Sequence, residues 1–299
     1  MIRKWLLRAA FVLLALAVTG ATVLYFGLRQ AGFFRDPVFE TEPPSLPELR
    51  RPAVLVFSKT NAFIHREAIP AAQAALRRIG ETNGWTVYLS DNGAIHNTRD
   101  LARFDAVVWN NVTGEVLDGA QKTALRDYLE QGGGFVALHA SGDSSHENWP
   151  WYMESVVRVG FTGHPMMPQF QSATVLVEQP ADPIMADHNP AWLREDEWYS
   201  FADSPRAADV KILATLDEQS YKPEAFGASL RMGADHPIIW KHCAGAGRVF
   251  YSAMGHTAES YAEARYLQVL ERALAWAARL DRQPAVSASP LSCEAGGSG

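Results

Sequence analysis

Among the side chains of this sequence, nine histidines are the ones best suited to proton transfer or metal ligation: His65, His96, His139, His146, His164, His188, His236, His242 and His256. Three of them lie at or just beyond short apolar runs. His65 is in the loop after AVLVFS (53–58), His139 ends FVALH (135–139), and His256 follows GRVFYSAMG (247–255). In an open parallel sheet the ligand crevice lies outside the carboxyl ends of the strands, so these three imidazoles can converge from separate loops. Neutral imidazoles in such a place suit a zinc-like divalent ion. His164 in FTGHP and Glu197 in REDEWYSF fall in loop-like segments full of aromatics. Glu197 brings a carboxylate able to share the ion or move a proton. Plainer readings stand beside these. Glu195, Asp196 and Glu197 also read as a solvated acidic run, and His164 and His236, each before a proline, also read as turn residues. His96, His146 and His188 read as surface residues. Trp149, Trp151, Trp198 and Tyr199 could stack on sugar rings or simply pack in the core.

The common catalytic signatures are missing: no GxGxxG follows a strand, and there is no P-loop, GxSxG elbow or HExxH. Gly132, Gly133 and Gly134 precede a strand and so read as a helix stop. Ser141 lies in HASGDSSHENW, where turn formation explains serine as well as nucleophilic chemistry does.

The elements that must carry these residues are written in the apolar pattern. AVLVFS, WTVYLS (85–90), DAVVWNN (105–111) and FVALH read as short buried strands. Between the first two, Ala68, Ala72, Ala75, Leu76 and Ile79 have helical spacing. Asp118 with Gln121 forms a capping box that opens a second helix striped by Ala124, Leu125, Tyr128 and Leu129. Strands alternating with helices imply right-handed βαβ units and a parallel sheet. After residue 160 the runs ATVLVE (173–178), VKILATL (210–216), HPIIWKH (236–242) and GRVFYSAMG have no helices between them, which fits antiparallel additions. A last helix is predicted from about Ser260 to Leu280, with a second capping box at Ser260 and Glu263.

At the amino terminus, residues 9–28 carry no charge and follow Arg3, Lys4 and Arg8. Twenty apolar residues span a hydrocarbon core of about 30 Å, so residues 1–29 read as a membrane anchor with the rest of the chain on the outer, periplasmic side. A cleaved signal peptide and secretion is the alternative. Residues 30–52 carry five prolines and read as a semi-rigid spacer, residues 53–281 as the folded domain, and residues 282–299 as a disordered tail. The two cysteines, Cys243 and Cys293, do not amount to a disulfide framework. With 299 residues, 47% hydrophobic and 20% charged, the composition is that of a globular protein; a net charge of −6 offers no field for nucleic acid.

Taken in succession, FIHREAI (63–69), GGGFVALHAS (132–141), FTGHP (161–165), DEWYSF (196–201), HPIIWKH (236–242) and GRVFYSAMGH (247–256) resemble the ThuA-like family, named for trehalose utilisation. The resemblance spans nearly all of residues 53–280. It implies an α/β fold, a flavodoxin-like three-layer sandwich similar to class I glutamine amidotransferases, with a mostly parallel sheet in an order near 2-1-3-4-5 and added strands. In those amidotransferases a cysteine nucleophile occupies the turn after the strand matching FVALH. Here that turn reads Leu138, His139, Ala140, Ser141, so thiolate-based glutamine hydrolysis is excluded. The role the resemblance implies is carbohydrate metabolism on a trehalose-like sugar or sugar derivative. On this reading His139, His65 and Glu197 are catalytic, and His164, His236 and Trp198 bind the small-molecule carbohydrate. His65, His139 and His256 hold a divalent metal such as zinc, for hydrolase or lyase chemistry. A catalytically inactive carbohydrate-binding module and a Ser141-dependent hydrolase are the alternatives.

Overall fold

The computed structural model describes residues 2–207, 209–281 and 293. The predicted tail lies outside the described residues apart from Cys293. Nine strands form one sheet: β1 (Ala53–Phe57), β2 (Thr86–Ser90), β3 (Ala106–Asn110), β4 (Gly134–Leu138), β5 (Phe170–Val177), β6 (Ala191–Glu197), β7 (Val210–Asp217), β8 (Pro237–Ala244) and β9 (Gly247–Ser252). Their order is β2-β1-β3-β4-β9-β8-β7-β5-β6. The first five are mutually parallel, and the last four run antiparallel to their neighbours. The parallel part thus has the 2-1-3-4-5 order of a flavodoxin-like sheet, with β9 in fifth place.

Burial explains which strands the apolar pattern exposed. Every residue of β1, β3 and β4 is buried, as expected for strands covered on both faces, whereas the edge strand β2 is only half-buried. Helix α1 spans Ile2–Gln30, α2 Ala68–Asn83, α3 Gly119–Glu130 and α4 Ala264–Ala277. The predicted stripe of α2 faces inward, and Gly84, at φ 71°, ends it in the left-handed conformation that glycine adopts without penalty. The Asp118–Gln121 capping box is formed in both directions. Steps β1 to β2 and β3 to β4 move in opposite directions along the sheet. Right-handed crossovers therefore set α2 and α3 on opposite faces, and α4 packs beside α2.

Four expectations need correction. The last helix begins at Ala264, after a 3-10 turn over Glu259–Ala262, and no side chain caps it. Ser260 donates instead to Asp196, while Glu263 accepts from the Trp192 indole and pairs with Arg194, so a buried polar network has claimed both residues of the expected capping box. Cys243 and Cys293 are joined in a disulfide across 50 residues. Residues 30–52 do not stand off as a spacer but are strapped along the domain. Glu40 pairs with Lys59 and accepts from the Gly93 amide, and Asn61, Thr86 and Gln121 donate to the carbonyls of Val38, Arg50 and Glu40.

The fourth correction is that His96 and His146 are buried, not on the surface. His96 Nε2 accepts from the Trp109 indole at 3.3 Å, and its Nδ1 lies 3.2 Å from the Gly93 carbonyl, which together fit the neutral ring. Burial lowers the His96 pKa to about 4. The unfolded chain takes up this proton near pH 6.5 and the folded chain only near 4, so this contribution to stability is full above 6.5 and shrinks as pH falls. The loss by pH 4 amounts to about 3 kcal/mol. Urea midpoints at pH 7 and pH 4.5 should therefore fall further for the wild type than for His96→Gln; equal falls would contradict this account.

Candidate functional site

Three loops beyond the carboxyl ends of β1, β4 and β9 meet at one point. His65, His139 and His256 each present a ring nitrogen there, and these atoms all lie within 4.8 Å of one another. The ring of His65 is 5.0 Å from that of His139 and 4.5 Å from that of His256, centroid to centroid. His139 is fully buried at φ 47°, a conformation a side chain larger than glycine rarely takes, on the tight turn directly after β4. Its Nδ1–H donates to the Ala253 carbonyl at 2.7 Å, which directs Nε2 toward His256 Nδ1 at 3.0 Å and Glu197 Oε2 at 3.3 Å. His256 Nδ1 is also 3.0 Å from Glu197 Oε2. His164 Nδ1 approaches the other carboxylate oxygen at 3.1 Å, and the Gln169 amide donates to it.

These contacts decide the charges. Burial opposes ionisation of Glu197, but hydrogen bonds from His139 and His256 outweigh it and hold the carboxyl well below the usual carboxylate range. Burial also works against a cationic His139, yet the hydrogen bond with Glu197 and its charge raise that ring above the ordinary histidine value. His65 is pushed well below by burial and by the neighbouring imidazoles. Its Nδ1 is buried without a hydrogen-bond partner among the described residues, whereas most buried polar atoms of folded proteins are paired.

Glu197 is the last residue of β6, a strand where the sequence pattern predicts a loop. Along Ala191–Glu197 burial alternates, so that Trp192, Arg194 and Asp196 point inward and Leu193 and Glu195 outward. Asp196 organises the opposite wall. It accepts from Arg194 (2.9 Å), the Ser260 hydroxyl (2.9 Å) and the amides of Gly255 (2.9 Å), His256 (3.1 Å) and Glu197 (2.9 Å). The turn bearing His256 is therefore fixed by a carboxylate adjacent in sequence to Glu197.

Two hollows share Phe63 and the His65–His256 pair in their walls. One, of about 510 Å³, is lined by Ala31, Phe63, Phe170 and Glu195 among others; the second, of about 420 Å³, by Phe33, Asp143, His164, Gln169, Glu197 and Tyr199. Asp143 and Gln169 were not anticipated. Asp143 is six residues beyond Ala137 in the loop after β4, where a strand-end carboxylate was the available signal; nothing in the sequence singled out Gln169. Burial pushes the Asp143 carboxyl up, against the pull of His146.

Of the predicted site residues, His65, His139, His164, Glu197 and His256 are together. His236 and Trp198 are not in this crevice. His236 is fully buried between Glu218 Oε1 (2.9 Å) and the Tyr199 carbonyl (2.8 Å), and the buried Trp198 donates to the Gln171 carbonyl at 2.7 Å. Ser141 is also structural. It is completely buried, donates to the Trp109 carbonyl at 2.9 Å and accepts from the Val112 amide at 3.1 Å, so its hydroxyl is spent on joining the ends of β3 and β4.

A mixed α/β sheet with a histidine-rich crevice at its carboxyl edge defines a class of ligand-site proteins. Comparison with known proteins narrows it. The family model described as ThuA, trehalose utilisation, matches residues 53–277, and the chain belongs to that family. A ThuA-like protein of Bacteroides uniformis has the same fold with a TM-score of 0.66 at 22% identity, over 79% of this chain and 95% of that one. A ThuA-like protein of Parabacteroides merdae gives 0.59 at 18% identity, over 77% and 90%. No curated protein matches the chain. Family membership suggests a carbohydrate-related role.

Proposed function

We propose that this chain acts on a trehalose-like sugar or sugar derivative in the crevice beside His65, with a divalent ion such as zinc held by His65, His139 and His256. The observation that carries the reading is that one ring nitrogen from each of His65, His139 and His256 lies within 4.8 Å of the others, the His65 ring having a buried Nδ1 with no hydrogen-bond partner among the described residues. Zinc–nitrogen bonds of about 2.0–2.1 Å in a tetrahedron put ligand nitrogens about 3.3 Å apart. His139 Nε2 and His256 Nδ1 lie 3.0 Å apart, and a ring nitrogen of His65 lies within 4.8 Å of the pair's ligand atoms. Such an ion, when bound, polarises a sugar oxygen or acidifies a water.

The chain's own residues supply the rest. Glu197, beside the histidine nitrogens, is placed to accept a proton, and Asp143, displaced toward its neutral form, to donate one. His164 and Gln169 orient Glu197 and face the cavity where the sugar sits. This division of labour suits hydrolase or lyase chemistry. The His139 turn, where amidotransferases carry cysteine, supports an amidotransferase-like layout put to another use.

Helix α1 is a candidate membrane span or signal sequence, and we take it as a single-pass anchor with the domain outside the cytoplasm. Arg3, Lys4 and Arg8 before the apolar run favour that orientation, and the Cys243–Cys293 disulfide suits an oxidising compartment. Full-length chain purified from zinc-replete cells should carry about one ion per molecule, and His65→Ala should carry none. Absence of bound metal together with chelator-insensitive turnover would remove the ion from the mechanism. Sugar binding with no turnover across a substrate panel would mark the chain as a carbohydrate-binding module.

A further inference from the structure

We infer that the crevice opens onto the membrane surface and takes its substrate from there, as a sugar carried on a lipid. The inference rests on the anchored, sugar-directed reading above, and four observations carry it. First, no linker separates the apolar helix from the crevice. The helix ends at Gln30, Ala31 lines the larger hollow, and Phe33 lines the smaller. Three residues reach at most about 10 Å, so the rim lies in or just beyond the headgroup layer of a bilayer that α1 crosses.

Second, the exit turn is tied down. The Ile64 amide donates to the Ala31 carbonyl at 2.9 Å, the Arg66 guanidinium donates to the Gln30 carbonyl, and Arg35 Nη2 donates to the carbonyls of Ala62 (2.7 Å) and Thr60 (2.9 Å). Third, the turn leads straight to the imidazoles. Phe33 packs 5.7 Å from Phe63, which packs 4.8 Å from His65. Fourth, large apolar side chains stand exposed beside the smaller hollow and the exit turn, while Arg66, Glu67, Glu195 and Glu259 edge the larger hollow. Phe34, Met167 and Phe226 are 68%, 79% and 78% exposed. Met166 lines both the smaller hollow and a neighbouring one that Met167 and Phe226 also line, so these exposed side chains lie beside the crevice. Exposed aromatic and apolar residues contiguous with a span belong at the membrane interface. The polar interior accommodates a sugar, and the exposed apolar side chains beside the smaller hollow accommodate its acyl or prenyl chain.

The test is spin labelling of the full chain in vesicles of phosphatidylethanolamine and phosphatidylglycerol. The native cysteines are paired, so Phe34→Cys, Met167→Cys and Phe226→Cys can be labelled singly. Gln131→Cys, at the other end of β4, is the aqueous control. Labels at 34, 167 and 226 should be relaxed by lipid-soluble oxygen and shielded from a water-soluble nickel chelate, in contrast to 131. If 167 and 226 are as open to the chelate as 131, the inference fails, whatever the sugar chemistry. With trehalose and its 6-dodecanoyl ester as probes, the ester below its micelle concentration should bind at least tenfold more tightly. Equal affinity for the two overturns the lipid-borne substrate while leaving a sugar site; binding of neither overturns the sugar reading as well.

Discussion

Glu197→Gln is expected to lower zinc affinity by about 10–100-fold and to reduce turnover of any sugar substrate by about 10²–10⁴-fold, with little effect on folding. The substitution keeps the shape of the side chain, so the contacts of Oε1 with His164 and Gln169 have a counterpart in the variant. What it removes is the charge beside His139 Nε2 and His256 Nδ1, at 3.3 Å and 3.0 Å. Without that charge the carboxylate in contact with the imidazoles no longer offsets the desolvation of a cation bound among them. Calorimetric zinc titration of wild type and variant, together with urea melts, separates the two effects. Wild-type affinity in a normally folded Glu197→Gln chain would show that the carboxylate stands outside the ion's surroundings.

The largest stability effect should come from Asp196→Ala. Five donors converge on this fully buried carboxylate, one of them the Arg194 guanidinium. Truncation would leave the buried Arg194 with only the half-exposed Glu263 as a counter-charge and four other donors without an acceptor, a change that costs about 3 kcal/mol or more. A loss of stability alone would mark a structural residue. As a positioning residue for His256, Asp196 should also matter in the folded fraction, because the amides of Gly255 and His256 lose the acceptor that fixes their turn. We therefore expect folded Asp196→Ala to bind zinc more weakly, and Asp196→Asn, which keeps an acceptor oxygen, to recover part of the affinity. Unchanged affinity in folded Asp196→Ala would show that the turn holds itself.

The parallel part of the sheet was legible because its strands are buried on both faces and so are nearly free of charge. Val54–Phe57, Val107–Trp109 and Phe135–Leu138 are short apolar runs that admit few readings, and Gly84 and the Asp118–Gln121 box mark helix ends through local chemistry. The strand carrying Glu197 was not legible for the opposite reason. Its inward positions hold Arg194 and Asp196, and buried charges that satisfy one another across the fold look, in one dimension, like a solvated run. The same pairing hid the true start of α4, since Ser260 and Glu263 have the types of a capping box but bond to residues some 65 positions away. The convergence of His65, His139 and His256 followed from a topological rule rather than from spacing, and the rule applies because each histidine follows a parallel strand. His236 comes just before an antiparallel strand, where that rule does not reach, and it pairs with Glu218 instead. His96 and His146 carried no sign of burial, because their partners are an indole and a backbone carbonyl contributed by distant segments.

The bond between Cys243 and Cys293 makes a covalent ring of the chain between them. Inside that ring are β9, the turn with His256, and the whole of α4 with the approach that supplies Ser260 and Glu263 to Asp196. A ring of this size removes about 4 kcal/mol of chain entropy from the unfolded state, and it acts on the segment whose partial detachment would release His256. Reduction of one sulfur pair far from the crevice would thus make the third imidazole easier to withdraw while leaving every contact in the crevice unaltered. The grip on a bound ion would then follow the thiol balance of the compartment in which the domain resides.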